Sequence, residues 1–451
     1  MSGSTMTQPS PRVDAREFLE HIVTSGLMDR DEVTRALESL PATDKAKTIA
    51  RHLVDAGKLT RFQAERLLIG VTDGFILGQY RVLEELGRGA MGRVYKAVHQ
   101  TMGRFVALKV LAPELIRTEK ARDLFQREVK AAARLNHPNI VTAFDAYLSG
   151  DRYFLVMEYV DGPNLSQLVK EQGSLPVEQA CEYIRQTAVG LDYAHQLGLI
   201  HRDIKPSNLL VQQTTSGPQV KMLDFGLALV SAGESGDNVF GVGTTNTVLG
   251  TPDYVSPEQA RDQYDVDGRS DLYSLGCTFY YLLTGVTPFA GGSGIEKLMR
   301  HGSEPPIPVR NKRADVPEAV AAIVHKLLEK DPKDRYQTAG ALAAELASVV
   351  GKKADWSAPA RSRPKVRPEG GVSLASSSED PWENVELDDQ PSASTIPTAA
   401  MSTRETPAPR RPNPRRKKAI WPFVLLAALL AFGVVAGVGL AVRYLVNHIA
   451  Q

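Results

Sequence analysis

The amino-acid sequence predicts an α+β protein built from four consecutive parts. Three observations support this: two similar segments with helix-capping signals near the N-terminus, alternating strand-like and helix-like segments over 80–350, and a long uncharged segment near the C-terminus. Between the last two lies 351–418, where Pro, Ser, Thr and charged residues predominate. We therefore expect a small all-α module at 11–72, a mixed domain at 80–350, a disordered linker at 351–418, and a single C-terminal transmembrane helix.

The N-terminal module is predicted from an internal echo, "VTSGLMDRDEVTRAL" and "VDAGKLTRFQAERLL". In each copy a helix ends at a glycine and a second helix begins behind a capping residue, Asp29 or Thr60. Three positions later stand Glu32 and Gln63, which are typical partners in a capping box. Two helix–turn–helix units of this kind would form a packing or docking bundle. Acidic and basic residues are mixed throughout, which argues against nucleic-acid binding.

The composition excludes several classes of protein. The net charge of +1 over 451 residues gives no general attraction to nucleic acid. Two cysteines, Cys181 and Cys277, are too few for a disulfide framework, and their apolar surroundings predict buried free thiols in a reducing compartment. The first residues contain no apolar segment of the kind found in a signal peptide.

The segment "LEELGRGAMGRVYKAVH" contains a glycine pattern, G-x-G-x-x-G, at Gly87, Gly89 and Gly92. Glycines allow a tight turn and a close approach of the backbone to phosphates. Dinucleotide-binding folds use the same pattern, but there a helix follows it. Here a strand-like segment follows, with Val94 two positions after the last glycine, so a strand–turn–strand flap is favoured.

Three further segments predict phosphate and metal chemistry. Lys109 interrupts the apolar strand "RFVALKVL", and the following helix contains Glu128, which can pair with it and orient it toward phosphates. In "LIHRDIKPSNLL", Asp203 and Asn208 lie five positions apart, as in H-R-D-x-x-x-x-N, and "VKMLDFGLA" follows with Asp224. A carboxylate and an amide oxygen are ligands that Mg²⁺ accepts.

Taken together, 80–350 resembles a eukaryotic-type (Hanks-type) protein kinase, similar to the bacterial membrane-anchored Ser/Thr kinases. The resemblance implies a bilobal protein kinase fold that uses ATP and Mg²⁺. It implies Asp203 as the catalytic base, Asn208 and Asp224 as metal ligands, and Lys109 with Glu128 as an ion pair. The implied phosphate flap consists of Leu86, Gly87, Arg88, Gly89, Ala90, Met91, Gly92, Arg93 and Val94.

Other segments extend the same resemblance. "FLVMEYVDG" is similar to the hinge, which implies Met157 as gatekeeper and the backbone of Glu158 and Val160 facing adenine. "GTPDYVSPEQA" is similar to the segment that contains the A-P-E motif, with Ser256 in place of alanine. The resemblance further implies an ion pair between Glu258 and Arg335. It also implies that Asp271 braces the catalytic loop, the segment that contains Asp203 and Asn208.

The resemblance also predicts substrate class and control. Lys205, two positions after Asp203, is typical of Ser/Thr kinases and can neutralise charge on the transferred phosphoryl group. Arg202 is a cation that a phosphate would satisfy. We therefore expect autophosphorylation in "GVGTTNTVLGT", which offers Thr244, Thr245 and Thr247.

The uncharged segment 419–442 is long enough to cross a bilayer, since about 24 helical residues span roughly 36 Å. Six arginines and lysines precede it within 410–418 and only Arg443 and His448 follow, so the positive-inside rule places the kinase domain in the cytoplasm, on the inner membrane. We expect the nine residues 443–451 to form a short extracytoplasmic tail. Gly433 and Gly437 form G-x-x-x-G, a pattern compatible with helix dimerisation.

The sequence thus predicts a membrane-tethered Ser/Thr protein kinase whose partners are protein substrates, the membrane and a second copy of itself in trans. The alternative is a catalytically inactive pseudokinase acting as a membrane-bound scaffold. The presence of Lys109, Asp203, Asn208 and Asp224 argues against that alternative.

Overall fold

The computed structural model describes residues 13–40, 43–89, 91–149, 152–225, 252–262 and 265–350. The predicted linker, transmembrane helix and C-terminal tail lie outside these residues, as do Ala90, Thr244, Thr245 and Thr247. Within the described part of the chain, no helix is both long and apolar enough to cross a membrane.

The N-terminal module consists of four helices, α1 (Ala15–Thr24), α2 (Arg30–Leu37), α3 (Ala46–Asp55) and α4 (Arg61–Leu68). The two capping boxes predicted from the sequence are present at the start of α2 and α4. The glycines after α1 and α3 adopt positive φ angles of 73° and 66°, as a left-handed helix end requires. The predicted pair of helix–turn–helix units is therefore confirmed.

A six-stranded antiparallel sheet forms the N-terminal lobe of the main domain, with strand order β1-β2-β3-β4-β6-β5. Its apolar core is formed by alternating strand residues such as Val82, Leu108 and Val156. One long helix packs against the sheet. The elements are β1 (Ile76–Leu77), β2 (Tyr80–Gly89), β3 (Gly92–His99), β4 (Phe105–Leu111), α5 (Glu119–Ala132), β5 (Ala143–Ser149) and β6 (Arg152–Glu158).

The C-terminal lobe is mainly helical, around a core that includes Tyr183, Leu191, Tyr273 and Phe279, all fully buried. It also contains a two-stranded sheet, which carries the predicted catalytic segments at its ends. Cys181 and Cys277 are buried free cysteines, as predicted. The elements are α6 (Leu165–Gln172), α7 (Val177–Gln196), β7 (Leu209–Thr214), β8 (Gly217–Met222), α8 (Pro257–Arg261), α9 (Gly268–Thr284), α10 (Gly294–Ser303), α11 (Val309–Lys312), α12 (Glu318–Leu327) and α13 (Ala339–Val350).

Candidate active site

The loop before β7 is held by one buried carboxylate. Asp271 of α9 accepts hydrogen bonds from the backbone N–H groups of His201 (2.9 Å) and Arg202 (2.8 Å), and it contacts His195 Nε2 at 2.8 Å. Burial alone would raise the pKa of Asp271, but the contacts with His195 and His201 outweigh it and hold the pKa below its ordinary value. The predicted bracing of this loop by Asp271 is confirmed.

Asp203, Lys205 and Asn208 form one cluster on this loop. The Lys205 ammonium lies 2.8 Å from Asp203 Oδ2, and Asn208 Nδ2 donates to the backbone oxygen and to Oδ2 of Asp203 at 2.8 and 3.0 Å. Because the amide nitrogen of Asn208 points to Asp203, its amide oxygen remains for another partner. Asp203 keeps about a third of its side-chain surface exposed, so its carboxylate is accessible from solvent.

Asp224 follows β8 and pairs with the buried Lys109 of β4, at 2.8 Å between Nζ and Oδ1. Burial favours the neutral carboxyl, but the Lys109 ammonium outweighs it and lowers the pKa of Asp224, to which Lys205 also contributes. Asp224 has a φ of 64°, a left-handed conformation that is uncommon for a residue with a side chain. Such strain is typical of functional sites.

The predicted ion pair between Lys109 and Glu128 is wrong for this structure. Lys109 is occupied by Asp224 and, more weakly, by Met91 Sδ at 3.8 Å, and none of the described ion pairs includes Glu128. Glu128 is half-buried on α5, and partial desolvation raises its pKa, while the charge of Arg202 opposes that shift. The sequence predicted Glu128 as the partner of Lys109, and it did not show that the fold would bring the carboxylate of Asp224 to this ammonium instead.

Arg202 is held in an unusual conformation beside Asp203. Its φ is 64°, and its backbone oxygen accepts a hydrogen bond from Gln259 Nε2 of α8 at 2.9 Å. Its side-chain Nε is buried and has no hydrogen-bond partner among the residues that the structure describes. A buried unpaired donor on a cation is costly, so the guanidinium is suited to receive an anion, as the sequence predicted.

The predicted phosphate flap is the β2–β3 hairpin, in which Gly87 lies opposite Val94, and Arg88 opposite Arg93. Gly92 has a φ of 132°, and a Cβ there would lie 2.0 Å from the backbone oxygen of Val110, so only glycine fits. Leu86 is almost half exposed near the tip.

The predicted hinge begins in the last residues of β6. Met157 is buried and lines a small cavity of about 30 Å³ with Val129 and Phe225, as expected for a side chain at the back of the cleft. The Glu158 side chain pairs with Lys221 at 2.8 Å, and the backbone N–H of Glu158 donates to the backbone oxygen of Thr142 at 2.9 Å. Val160 is buried. Their predicted role toward adenine stays a prediction.

Side-chain hydrogen bonds and an ion pair hold the segment that contains Ser256. Glu258 and Arg335 form a two-bond ion pair at 2.6 and 3.0 Å, as predicted. Ser256 is not a neutral replacement for alanine. Its hydroxyl accepts from Gln259 N at 3.2 Å to cap α8 and lies 2.8 Å from the Ser270 hydroxyl.

The residues present fit a nucleotide with magnesium. Asp224 supplies a carboxylate and Asn208 an amide oxygen without a hydrogen bond among the described residues, both hard ligands. Lys109 supplies a buried cation suited to phosphate oxygens.

Comparison with known families decides the class. The protein kinase domain family matches residues 80–346. This chain belongs to the protein kinase family. As a member of it, the kinase domain uses ATP and Mg²⁺. The roles assigned above to single residues stay predictions.

Bacterial relatives and one solved structure agree with this assignment. A probable serine/threonine-protein kinase of Clostridium perfringens is 40% identical over 61% of this chain and 39% of its own length. Serine/threonine-protein kinase PknB of Mycobacterium tuberculosis is 40% identical over 62% of this chain and 44% of its own length. The crystal structure of Rad53 with AMP-PNP matches 59% of this chain and 64% of that chain, with 30% identity and a TM-score of 0.50. The matched part thus spans less than half the length of the two bacterial relatives.

Proposed function

We propose that this chain is a serine/threonine protein kinase that transfers the γ-phosphoryl group of ATP to protein hydroxyls. The observation that supports this most is the convergence of Asp203, Lys205, Asn208, Asp224 and Lys109, since phosphoryl transfer is mainly positioning and charge stabilisation. Asp203 would accept and orient the proton of the substrate hydroxyl. Lys205 and Lys109 would balance charge on the phosphoryl oxygens.

Asn208 and Asp224 would hold magnesium, which when bound neutralises negative charge on the phosphates. Since Lys109 now pairs with Asp224, nucleotide binding has to compete for that ammonium. The relatives named as serine/threonine kinases and the position of Lys205 favour serine and threonine as acceptors.

The test is a radiolabelled ATP assay on a protein substrate, with Lys109→Met and Asp203→Asn as site variants. Each should reduce turnover at least a hundredfold, the scale expected for one electrostatic group in a catalytic site. Lys96→Met is a matched control, because Lys96 lies in the same lobe and pairs with Glu84 at 3.3 Å instead. An inactive wild-type protein that still folds would favour the pseudokinase scaffold.

We further propose that phosphorylation within 244–247 activates the enzyme. The buried Nε of Arg202 supports this, because a phosphate makes charge-assisted hydrogen bonds that a neutral threonine cannot. Mass spectrometry of active enzyme should find phosphate in this segment. Full activity of a Thr244/Thr245/Thr247→Ala variant would contradict the proposal.

The C-terminal segment 419–442 is proposed as a membrane anchor that confines the kinase to the inner membrane face. Its length without charge and the basic residues that precede it support this. Confinement raises the mutual effective concentration of the molecules, which favours phosphorylation in trans. Deletion of 419–451 should release the enzyme from membranes and leave peptide turnover unchanged. It should also lower autophosphorylation at low expression, whereas fractionation that still finds the deletion variant in membranes would contradict the anchor.

A further inference from the structure

The N-terminal module contacts strand β2 of the flap hairpin at an irregularity in the pairing of β2 with β3. Strand β1 pairs only with the first two residues of β2, Tyr80 and Arg81. Beyond that point β2 is an edge strand, and its pairing with β3 shifts register between Val82 and Glu84, so Leu83 has no partner across the ladder. A bulge of this kind leaves backbone groups unpaired and bends the strand.

Two side chains of the module occupy this edge. Gln63 Nε2 donates to the backbone oxygen of Val82 at 2.6 Å, and the Thr60 hydroxyl donates to that of Leu83 at 2.5 Å. Both carbonyls therefore receive a hydrogen bond from the start of α4, which lies about twenty residues earlier in the chain.

The same two residues form the capping box of α4, so their positions are fixed from both sides. Gln63 Oε1 accepts from the Thr60 N–H at 2.9 Å, and the Thr60 hydroxyl accepts from Gln63 N at 3.2 Å. Gln63 is only 2% exposed, and both ends of its amide are satisfied. A buried amide in this state is rigid, and its removal leaves donors and acceptors unpaired.

An apolar contact supports the hydrogen bonds. The rings of Phe62 and Tyr95 lie 6.2 Å apart, and Phe62 packs on the sheet cluster that includes Tyr80. Tyr95 is next to Val94, which pairs with Lys109 on β4. The module thus touches the flap strand one residue away from the position opposite the lysine of the site.

We propose that Gln63 and Thr60 are positioning residues for nucleotide binding: they hold the β2 bulge and so set the height of the β2–β3 flap over the phosphates. This rests on the proposed kinase activity. The flap would contact nucleotide alike before and during transfer, so loss of these bonds raises KM for ATP and leaves kcat nearly unchanged.

The chain provides a matched control in the first helix pair. Glu32 occupies the same capping-box position on α2, accepting from Asp29 N at 2.9 Å, but it is exposed, and its hydrogen bonds with other described residues stay within the module. Glu32→Ala removes a capping box only, whereas Gln63→Ala removes a capping box and the contact with β2. Gln63→Glu separates the two tasks, because a carboxylate can cap α4 but cannot donate to Val82.

The experiment measures three quantities on the full chain: hydrogen exchange of 82–97 without nucleotide, the Kd for magnesium-ADP by calorimetry, and steady-state kinetics. We expect Gln63→Ala and Gln63→Glu to speed exchange in 82–97 and to raise the Kd and KM about fivefold, with kcat within twofold. Glu32→Ala and the conservative Thr60→Ser should behave as the wild type.

The outcomes separate the possible failures. Wild-type exchange and Kd in both Gln63 variants would overturn the inference. So would an equal effect of Glu32→Ala, because this would show a general loss of helix stability. Thr60→Val, which keeps the shape but lacks the hydroxyl, decides the matter if the Gln63 variants do not fold. If the wild type transfers no phosphate, the proposed function fails, while the exchange measurement still tests the inference.

Discussion

Replacing Arg335 by lysine tests how strongly the segment that contains Ser256 and Glu258 is held to the rest of the C-terminal lobe. The Arg335 side chain is fully buried and makes five hydrogen bonds: two to Glu258 and one each to the backbone oxygens of Glu329, Arg269 and Lys330. A lysine keeps the charge but has three donors and no planar fork. At least two acceptors would therefore lose their partner.

The cost follows from these contacts. An unpaired buried carbonyl costs about 1–3 kcal/mol and a lost hydrogen bond to a charged group about 1.5–3 kcal/mol, so Arg335→Lys should lower the free energy of unfolding by about 3–5 kcal/mol. For a domain of this size that corresponds to a fall in Tm of roughly 10 °C.

Thermal unfolding followed by circular dichroism measures this difference. The control is Arg310→Lys, because Arg310 and Glu318 form an ion pair on the surface, with side chains 46% and 86% exposed. Such a pair contributes at most about 1 kcal/mol, so its variant should unfold close to the wild type. A Tm for Arg335→Lys within about 2 °C of the wild type would refute the reasoning from hydrogen-bond count.

Three further predictions concern the same lobe. Burial lowers the pKa of His301 from 6.5 to about 4, so between these two pH values the unfolded chain binds a proton that the folded chain does not. The free energy of unfolding should therefore decrease as the pH is lowered from 6.5 to about 4, by up to about 1.4 kcal/mol per pH unit. His301→Gln should flatten the dependence in urea titrations at pH 5 and 7, and an unchanged slope would contradict it. Ser256→Ala should lower Tm by more than Ser293→Ala, which also caps a helix but at an exposed site; equal shifts would show that the buried hydroxyl contact is unimportant. Gln259→Leu removes the hydrogen bond to the backbone oxygen of Arg202, the residue before Asp203, so kcat should fall severalfold at constant KM. An unaltered kcat would contradict a positioning role for Gln259.

Local sequence patterns predicted many of the helices and strands and the residues that meet in the candidate site. Short-range patterns were sufficient for the capping boxes, the left-handed glycines after α1 and α3, and the flap at Gly87 to Gly92. Each of these depends on groups within a few residues of one another, so spacing alone specifies it. The five-residue separation of Asp203 and Asn208 likewise predicted that they would meet.

Which partner each charged or polar side chain takes depends on how the elements pack in three dimensions. The sequence predicted Glu128 as the partner of Lys109, whereas the fold pairs Lys109 with Asp224, and the charge of Arg202 acts on Glu128. It predicted Gln63 as a helix cap, but not that the other end of the same amide would hold β2. The physical reason is that a hydrogen bond requires its partner within about 3 Å, and for partners distant in the chain that proximity is set by how the elements pack together, which local spacing does not encode.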